Sequence, residues 1–166
     1  MCTGVRFADA AGNLYFGRNL DWCESYGEGV VITPRGASIP TQFLGSLSPE
    51  HACVGMGIVM GGVPCYFDCA NEAGLAIAGL NFPGYAQFAE APEKGAVNVA
   101  AYEFPLWVAA SFSTVAEVRK ALEDVVIVAK APSEGYGVAQ LHWLVGDGKE
   151  SIVIECQADG MHVYDD

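Results

Sequence analysis

The chain has 166 residues, 52% of them hydrophobic and 17% charged, and its 20 acidic and 8 basic side chains leave a formal net charge of −12. That length suits one domain, 1–166, built on a single core, and so apolar a composition excludes intrinsic disorder. The acidic balance argues against a nucleic-acid partner, which needs clustered Lys and Arg, and no apolar run reaches the ~18 residues of a membrane span.

The chain starts Met1-Cys2-Thr3-Gly4-Val5-Arg6-Phe7. A small second residue permits removal of the initiator methionine, leaving Cys2 with a free α-amine of ordinary pKa near ~8. One residue then carries both nucleophile and proton acceptor. The plain alternative is a small residue near a chain end. No basic-then-apolar leader is present and position 2 is not Gly, so a cytoplasmic protein without lipid anchor is expected.

Residues 2–8 and 13–20 flank Ala10-Ala11-Gly12, which predicts a hairpin beginning at Cys2. Gly29 to Thr33 is a β-branched run stopped by Pro34 and Gly36. Residues 55–60 and 63–69 are separated by Gly61-Gly62, a dipeptide suited to a tight turn. Within them Gly55-Met56-Gly57 lacks the third glycine of a nucleotide loop, and no helical pattern follows. Leu75 to Leu80 forms a further strand that ends at Asn81-Phe82-Pro83-Gly84.

The middle of the chain predicts helix. Val97 to Phe112 is apolar on most sides and is interrupted or kinked near Pro105. Thr114-Val115-Ala116-Glu117 is a capping box, and Val115, Val118 and Leu122 follow at helical spacing as core positions. Gln140–Gly146, Ser151–Gln157 and Met161–Tyr164 then form an antiparallel meander with turns at Asp147-Gly148 and Asp159-Gly160. Strands, helices and strands again indicate an α+β fold, antiparallel sheet covered by helices. The meander runs to Asp165-Asp166 with no closing helix. Such edges are normally covered, so the fold reads as incomplete.

Six cysteines stand at 2, 23, 53, 65, 69 and 156. Without a secretion signal they read as reduced, mostly structural thiols. Cys65 and Cys69 share a face if their segment is a regular strand, but His51, His142 and His162 lie elsewhere, and no metal site is expected.

Gly17-Arg18-Asn19-Leu20-Asp21-Trp22 closes the second strand, where the hairpin returns it beside Cys2. A guanidinium near a thiol favours the thiolate, and a carboxylate near an α-amine orients it. Arg18 and Asp21 alone also read as a surface ion pair; Cys2 across the same hairpin shifts the balance towards an active site.

These residues carry a specific resemblance. Cys2-Thr3-Gly4, Phe16 to Trp22, Asn71-Glu72 with Gly74-Leu75-Ala76, and Gly79 to Tyr85 resemble the choloylglycine hydrolase family, whose members are bile salt hydrolases and penicillin V acylases. Glu103 to Trp107, Leu141-His142-Trp143 and Ser151 to Glu155 extend the match over the whole chain. The resemblance implies the αββα sandwich of N-terminal nucleophile hydrolases, held only in part here. It implies Cys2 as nucleophile with its own amine as base, Arg18 beside the thiol, Asp21 beside the amine, and Asn81 lending a backbone N–H to the oxyanion hole. Asn rather than Tyr at 81 favours the bile salt branch. A second Asn of the oxyanion hole and a further Arg, both later in family members, have no counterpart in this chain.

The implied reaction is hydrolysis of a glycine- or taurine-conjugated bile salt through a Cys2 thioester, without metal or cofactor. Weak or absent turnover is expected of this chain by itself, and homo-oligomerisation of the full-length form. Leu20, Tyr26, Ile58, Met60 and Phe67 are candidates for an apolar substrate pocket, with core packing as their alternative role. The rival functions are a penicillin V acylase-type amidase and a non-catalytic domain that binds bile acids or a partner subunit.

Overall fold

A computed structural model describes residues 2–166; Met1, whose removal would free the Cys2 amine, lies outside them. The hairpin of β1 (Thr3–Ala8) and β2 (Leu14–Asn19) comes first, in register from Thr3 opposite Asn19 to Ala8 opposite Leu14. Its turn is tied by Asp9, whose Oδ1 accepts the N–H groups of Ala11 and Asn13. Next come β3 (Gly29–Thr33) and a small ribbon of β4 (Ile39–Thr41) and β5 (Gly45–Leu47). Then β6 (Cys53–Met60) turns into β7 (Val63–Asn71) through Gly61 and Gly62, both at positive φ (58° and 83°) as a tight primed turn requires. β8 (Ala76–Asn81) follows.

The segment expected to be one long helix is divided. Val97–Ala100 is a strand, β9, and only Phe104–Ser111 is helical, α1, with Pro105 inside its first turn. Pro105 therefore starts the helix rather than kinking it, because the N–H it lacks has no partner in a first turn. Val97 to Ala100 pairs in parallel with β10 (Val125–Val128), a contact no local pattern announces. Between them α2 (Val115–Ala121) begins at Thr114, whose Oγ1 accepts the Glu117 N–H, while Glu117 Oε2 reaches the N–H of Ser113. Val115 and Val118 are fully buried, and Leu122 is nearly so. The expected meander closes the chain as β11 (Leu141–Gly146), β12 (Ser151–Gln157) and β13 (Gly160–Asp165).

Seven strands form one antiparallel sheet in the order β13-β12-β11-β8-β7-β6-β3. Trp143, Ile77, Val145, Ile152 and Ile154 point to one face, where Phe104 of α1 packs on Trp143 with ring centroids 4.6 Å apart. Ala78, Leu80 and Leu144 point the other way. On that side the β1–β2 hairpin sits so close that a Cβ on Gly4 would lie 2.9 Å from Leu144, and one on Gly146 would lie 3.0 Å from Arg6. The described residues thus stack helices, a sheet and the start of a second sheet, the α+β layering expected of part of an αββα sandwich.

The β6–β7 ladder carries one irregularity with consequences. Met56 pairs with Asp68 but Gly57 pairs with Tyr66, so Phe67 is the extra residue of a β-bulge. Gly55 and Gly57 make this possible: a Cβ there would lie 2.0 Å from the Asp68 carbonyl and 2.4 Å from the Cys65 carbonyl. The glycines that resembled a partial nucleotide loop serve close backbone approach. The bulge also breaks the alternation between Cys65 and Cys69, so their spacing no longer implies a common face.

Candidate active site

The hairpin register ends at Thr3 opposite Asn19, which puts Cys2 one step further, across from Leu20. Arg18 sits opposite Gly4 and reaches across to the sheet, where its Nη2 donates to the Gly79 carbonyl at 2.5 Å. β7 pairs with β8 only as far as Asp68 opposite Ala78. Beyond that point the ladder stops at the Phe67 bulge, and Arg18 takes the Gly79 carbonyl that β7 leaves unpaired.

A cavity of about 140 Å³ opens there. Cys2, Arg18, Gly79 and Asn81 line its polar end. Leu20, Trp22, Tyr26 and Phe67 line the apolar part, with Tyr66, Ala139 and Leu141 completing the wall. Tyr26 meets Phe67 edge to face at 6.0 Å. Of the residues proposed from the sequence, the cavity therefore gathers Cys2, Arg18, Asn81, Leu20, Tyr26 and Phe67. Ile58 and Met60 are not part of its lining; they lie towards the Gly61-Gly62 turn, opposite Cys65 and Val63.

Asp21 is exposed and outside the lining as well. Its Oδ1 accepts a hydrogen bond from Asn19 Nδ2 at 3.0 Å, and Asn19 Oδ1 accepts the Thr3 N–H at 2.6 Å. The carboxylate is thus connected through Asn19 to the backbone beside Cys2. The sequence reading missed Asn19 in this bridging role; its place between Arg18 and Asp21 was the available signal.

The backbone of Asn81 is oriented by its neighbour. The Phe82 N–H donates to the Gln140 carbonyl at 2.8 Å, on the β11 side. Successive residues in a strand point their backbone groups to opposite sides. The Asn81 N–H and the Gly79 carbonyl therefore both face the side that β7 has left. Gln140 Oε1 accepts the Gly84 N–H at 2.9 Å, and the Phe82 ring stacks on His142 at 4.7 Å, so the turn after Asn81 is pinned twice.

All six thiols are free, but they are not equivalent. Burial pushes the Cys53 and Cys65 thiols up to about 11 and that of Cys156 to about 12, and raises Cys69 as well. Such thiols stay protonated at neutral pH. Cys2 is partly exposed at the cavity, and Cys23 is exposed. Among the described residues no helix is long and apolar enough to cross a membrane.

A profile of linear amide C–N hydrolases of the choloylglycine hydrolase family matches residues 2–166. The chain is 57% identical to a bile salt hydrolase/transferase of Bifidobacterium longum subsp. longum, covering 100% of this chain and 52% of that protein. It is 51% identical to a conjugated bile acid hydrolase of Lactobacillus gasseri, covering 100% of this chain and 53% of that protein. The chain spans about half the length of the curated relatives it matches. Among solved structures, the C2A mutant of conjugated bile acid hydrolase from Clostridium perfringens superposes with a TM-score of 0.95 at 35% identity, over 100% of this chain and 51% of that one. Penicillin V acylase from Agrobacterium tumefaciens shares the fold, with a TM-score of 0.75 at 19% identity over 99% of this chain and 49% of that one.

Proposed function

The chain belongs to the choloylglycine hydrolase family, and from that premise we propose that its full-length form hydrolyses the amide bond of glycine- or taurine-conjugated bile salts. The single observation that carries this reading is the cavity shared by Cys2, Arg18 and Asn81. Similarity to proteins named bile salt hydrolase/transferase and conjugated bile acid hydrolase supplies the substrate class.

Cys2 is the proposed nucleophile. Once Met1 is removed, its α-amine takes the thiol proton, and the Arg18 guanidinium at the same cavity favours the thiolate. Asp21 orients that amine, and its link through Asn19 to the Thr3 N–H supports this role. The thiolate attacks the amide carbon. The Asn81 N–H, turned to the unpaired side of β8, donates to the oxyanion of the tetrahedral intermediate, a contribution often worth ~3 kcal/mol per donor. The amine then protonates the departing glycine or taurine nitrogen, and water hydrolyses the thioester.

Leu20, Tyr26 and Phe67 hold the apolar acyl group, joined by Trp22 and Leu141. A cavity of about 140 Å³ admits the reacting end of such a substrate but is smaller than the ~300 Å³ at which whole-ligand sites begin. Ile58 and Met60 lie outside this contact region. The reading includes no metal, cofactor or nucleic acid, a cytoplasmic location, homo-oligomerisation of the full-length form, and weak or absent turnover by residues 1–166 alone.

The test is release of glycine or taurine from conjugated cholate, measured for this chain and for a version extended to the length of its relatives. Release by the extended protein, abolished by Cys2→Ala, is the expected result. An extended protein inert towards bile salts but active on penicillin V would establish the acylase reading instead.

A further inference from the structure

Arg18 has two neighbours on the sheet, and the second is acidic. Its side chain is 8% exposed, its Nη2 is spent on the Gly79 carbonyl, and its Nε faces Asp68 Oδ2 across 3.6 Å. Nε and Nη1 are both buried, and among the described residues neither has a hydrogen-bond partner.

Asp68 stands in the centre of the sheet, opposite Met56 on one side and Ala78 on the other. A half-buried carboxylate among such neighbours is unfavourable unless an opposite charge answers it. Burial pushes its carboxyl up from the ordinary value, and the Arg18 charge and the Met56 backbone pull it back only in part. Its position depends on the bulge: Phe67 is the extra residue, and Asp68 the next one, on the face that the β1–β2 hairpin covers. The same two residues contribute separately, Phe67 to the apolar wall and Asp68 to Arg18.

We propose that Asp68 is a positioning residue: with the Gly79 carbonyl it clamps the Arg18 guanidinium at the wall of the cavity that Cys2 lines. This rests on the reading above in which Arg18 favours the Cys2 thiolate. The titratable groups that meet here are Arg18 from β2, Tyr26 from the segment after β2, Asp68 and Tyr66 from β7, and the Cys2 thiol ahead of β1, with Cys69 next to Asp68 in the chain.

The clamp and a simple charge effect predict opposite signs. Loss of the Asp68 negative charge as a bystander would ease ionisation of Cys2. Loss of the clamp would let the guanidinium leave and make ionisation harder. The experiment labels the purified 166-residue chain with iodoacetamide between about pH 5 and 10, follows the Cys2 peptide by mass spectrometry, and checks folding by thermal melting.

Arg18→Gln should raise the midpoint of Cys2 labelling, and Asp68→Ala should raise it by a smaller amount. Asp68→Asn, which keeps an oxygen acceptor, should restore most of the difference. The Arg18 Nε–H, followed by NMR, should exchange with solvent faster in Asp68→Ala and at an intermediate rate in Asp68→Asn. An Asp68→Ala midpoint that stays or falls while Arg18→Gln raises it overturns the clamp and leaves the Arg18 reading intact. No effect of Arg18→Gln removes that reading, and the clamp with it. If Asp68→Ala does not fold, the Nε–H exchange in Asp68→Asn decides: a rate equal to that of the parent overturns the proposal.

Discussion

The two faces of the seven-stranded sheet differ in how completely they are filled. On the helix face Trp143, Ile77, Val145, Ile152 and Ile154 are fully buried against α1 and its neighbours. The opposite face is covered only in its middle, by the β1–β2 hairpin. At one end Val30 and Ile32 of β3 remain 71% and 70% exposed, with Val54 and Met56 of β6 paired to them on the same face. The candidate site lies where the hairpin, carrying Cys2 and Arg18, meets the ends of β8 and β11 at Gly79, Asn81 and Leu141. A close-packed layer leaves no room for substrate, whereas a gap between layers can admit one. Stability is thus carried by the filled interior of one face, and chemistry by the place where the hairpin meets the strand ends.

The largest break in this contrast is Phe104→Ala. Truncating a fully buried ring should cost about 3–5 kcal/mol, read as a lower urea midpoint, while Cys2 labelling of the chain that remains folded stays unchanged. A small loss would show that the helix face relaxes more readily than its packing implies.

Asp147 tests the rim, where the β11–β12 turn meets α2. Its Oδ1 accepts the N–H groups of Lys149 and Glu150, and its Oδ2 accepts that of Val115. Burial tends to raise its carboxyl, but those three bonds, with Arg6 nearby, outweigh it and hold the group below 3.8. Asp147→Asn removes the acceptor for Val115 and should cost about 1–3 kcal/mol at pH 7. A carboxyl lowered in the folded state contributes fully above its unfolded value and loses that contribution as pH falls through the folded one. The gap between parent and variant should therefore close as pH drops below 3.8. A gap independent of pH would mean that the carboxylate charge plays no part.

The smallest effect is expected on the open face. Ile32→Thr should change stability by less than about 0.5 kcal/mol, since a side chain 70% exposed has little packing to lose. A loss above ~1 kcal/mol would show that this end is covered in solution.

Elements whose signal is local were legible from the residues alone. Ala10-Ala11-Gly12 mark the first hairpin turn, Gly61-Gly62 the second, and Thr114 caps α2, each within a few positions of the chain it organises. The return of Arg18 to the Cys2 end of the first hairpin was legible for the same reason, because a tight turn brings the residues on either side of it together. The strand Val97–Ala100 was not. Its partner is 28 positions away at Val125–Val128, and an apolar run beside a helix start has the same composition in either state.

The sequence by itself determined which groups stand at the head of the chain, a thiol at position 2 with a guanidinium returned to it by the first turn, since covalent order and turn chemistry act over short distances. Only the tertiary structure decided what surrounds them. The Phe67 bulge, the end of the β7–β8 ladder at Asp68, the free side of the Asn81 backbone and the approach of Asp68 to Arg18 all depend on strand register. Register is settled by packing between residues far apart in the chain, where a single extra residue changes which side chains face the cavity.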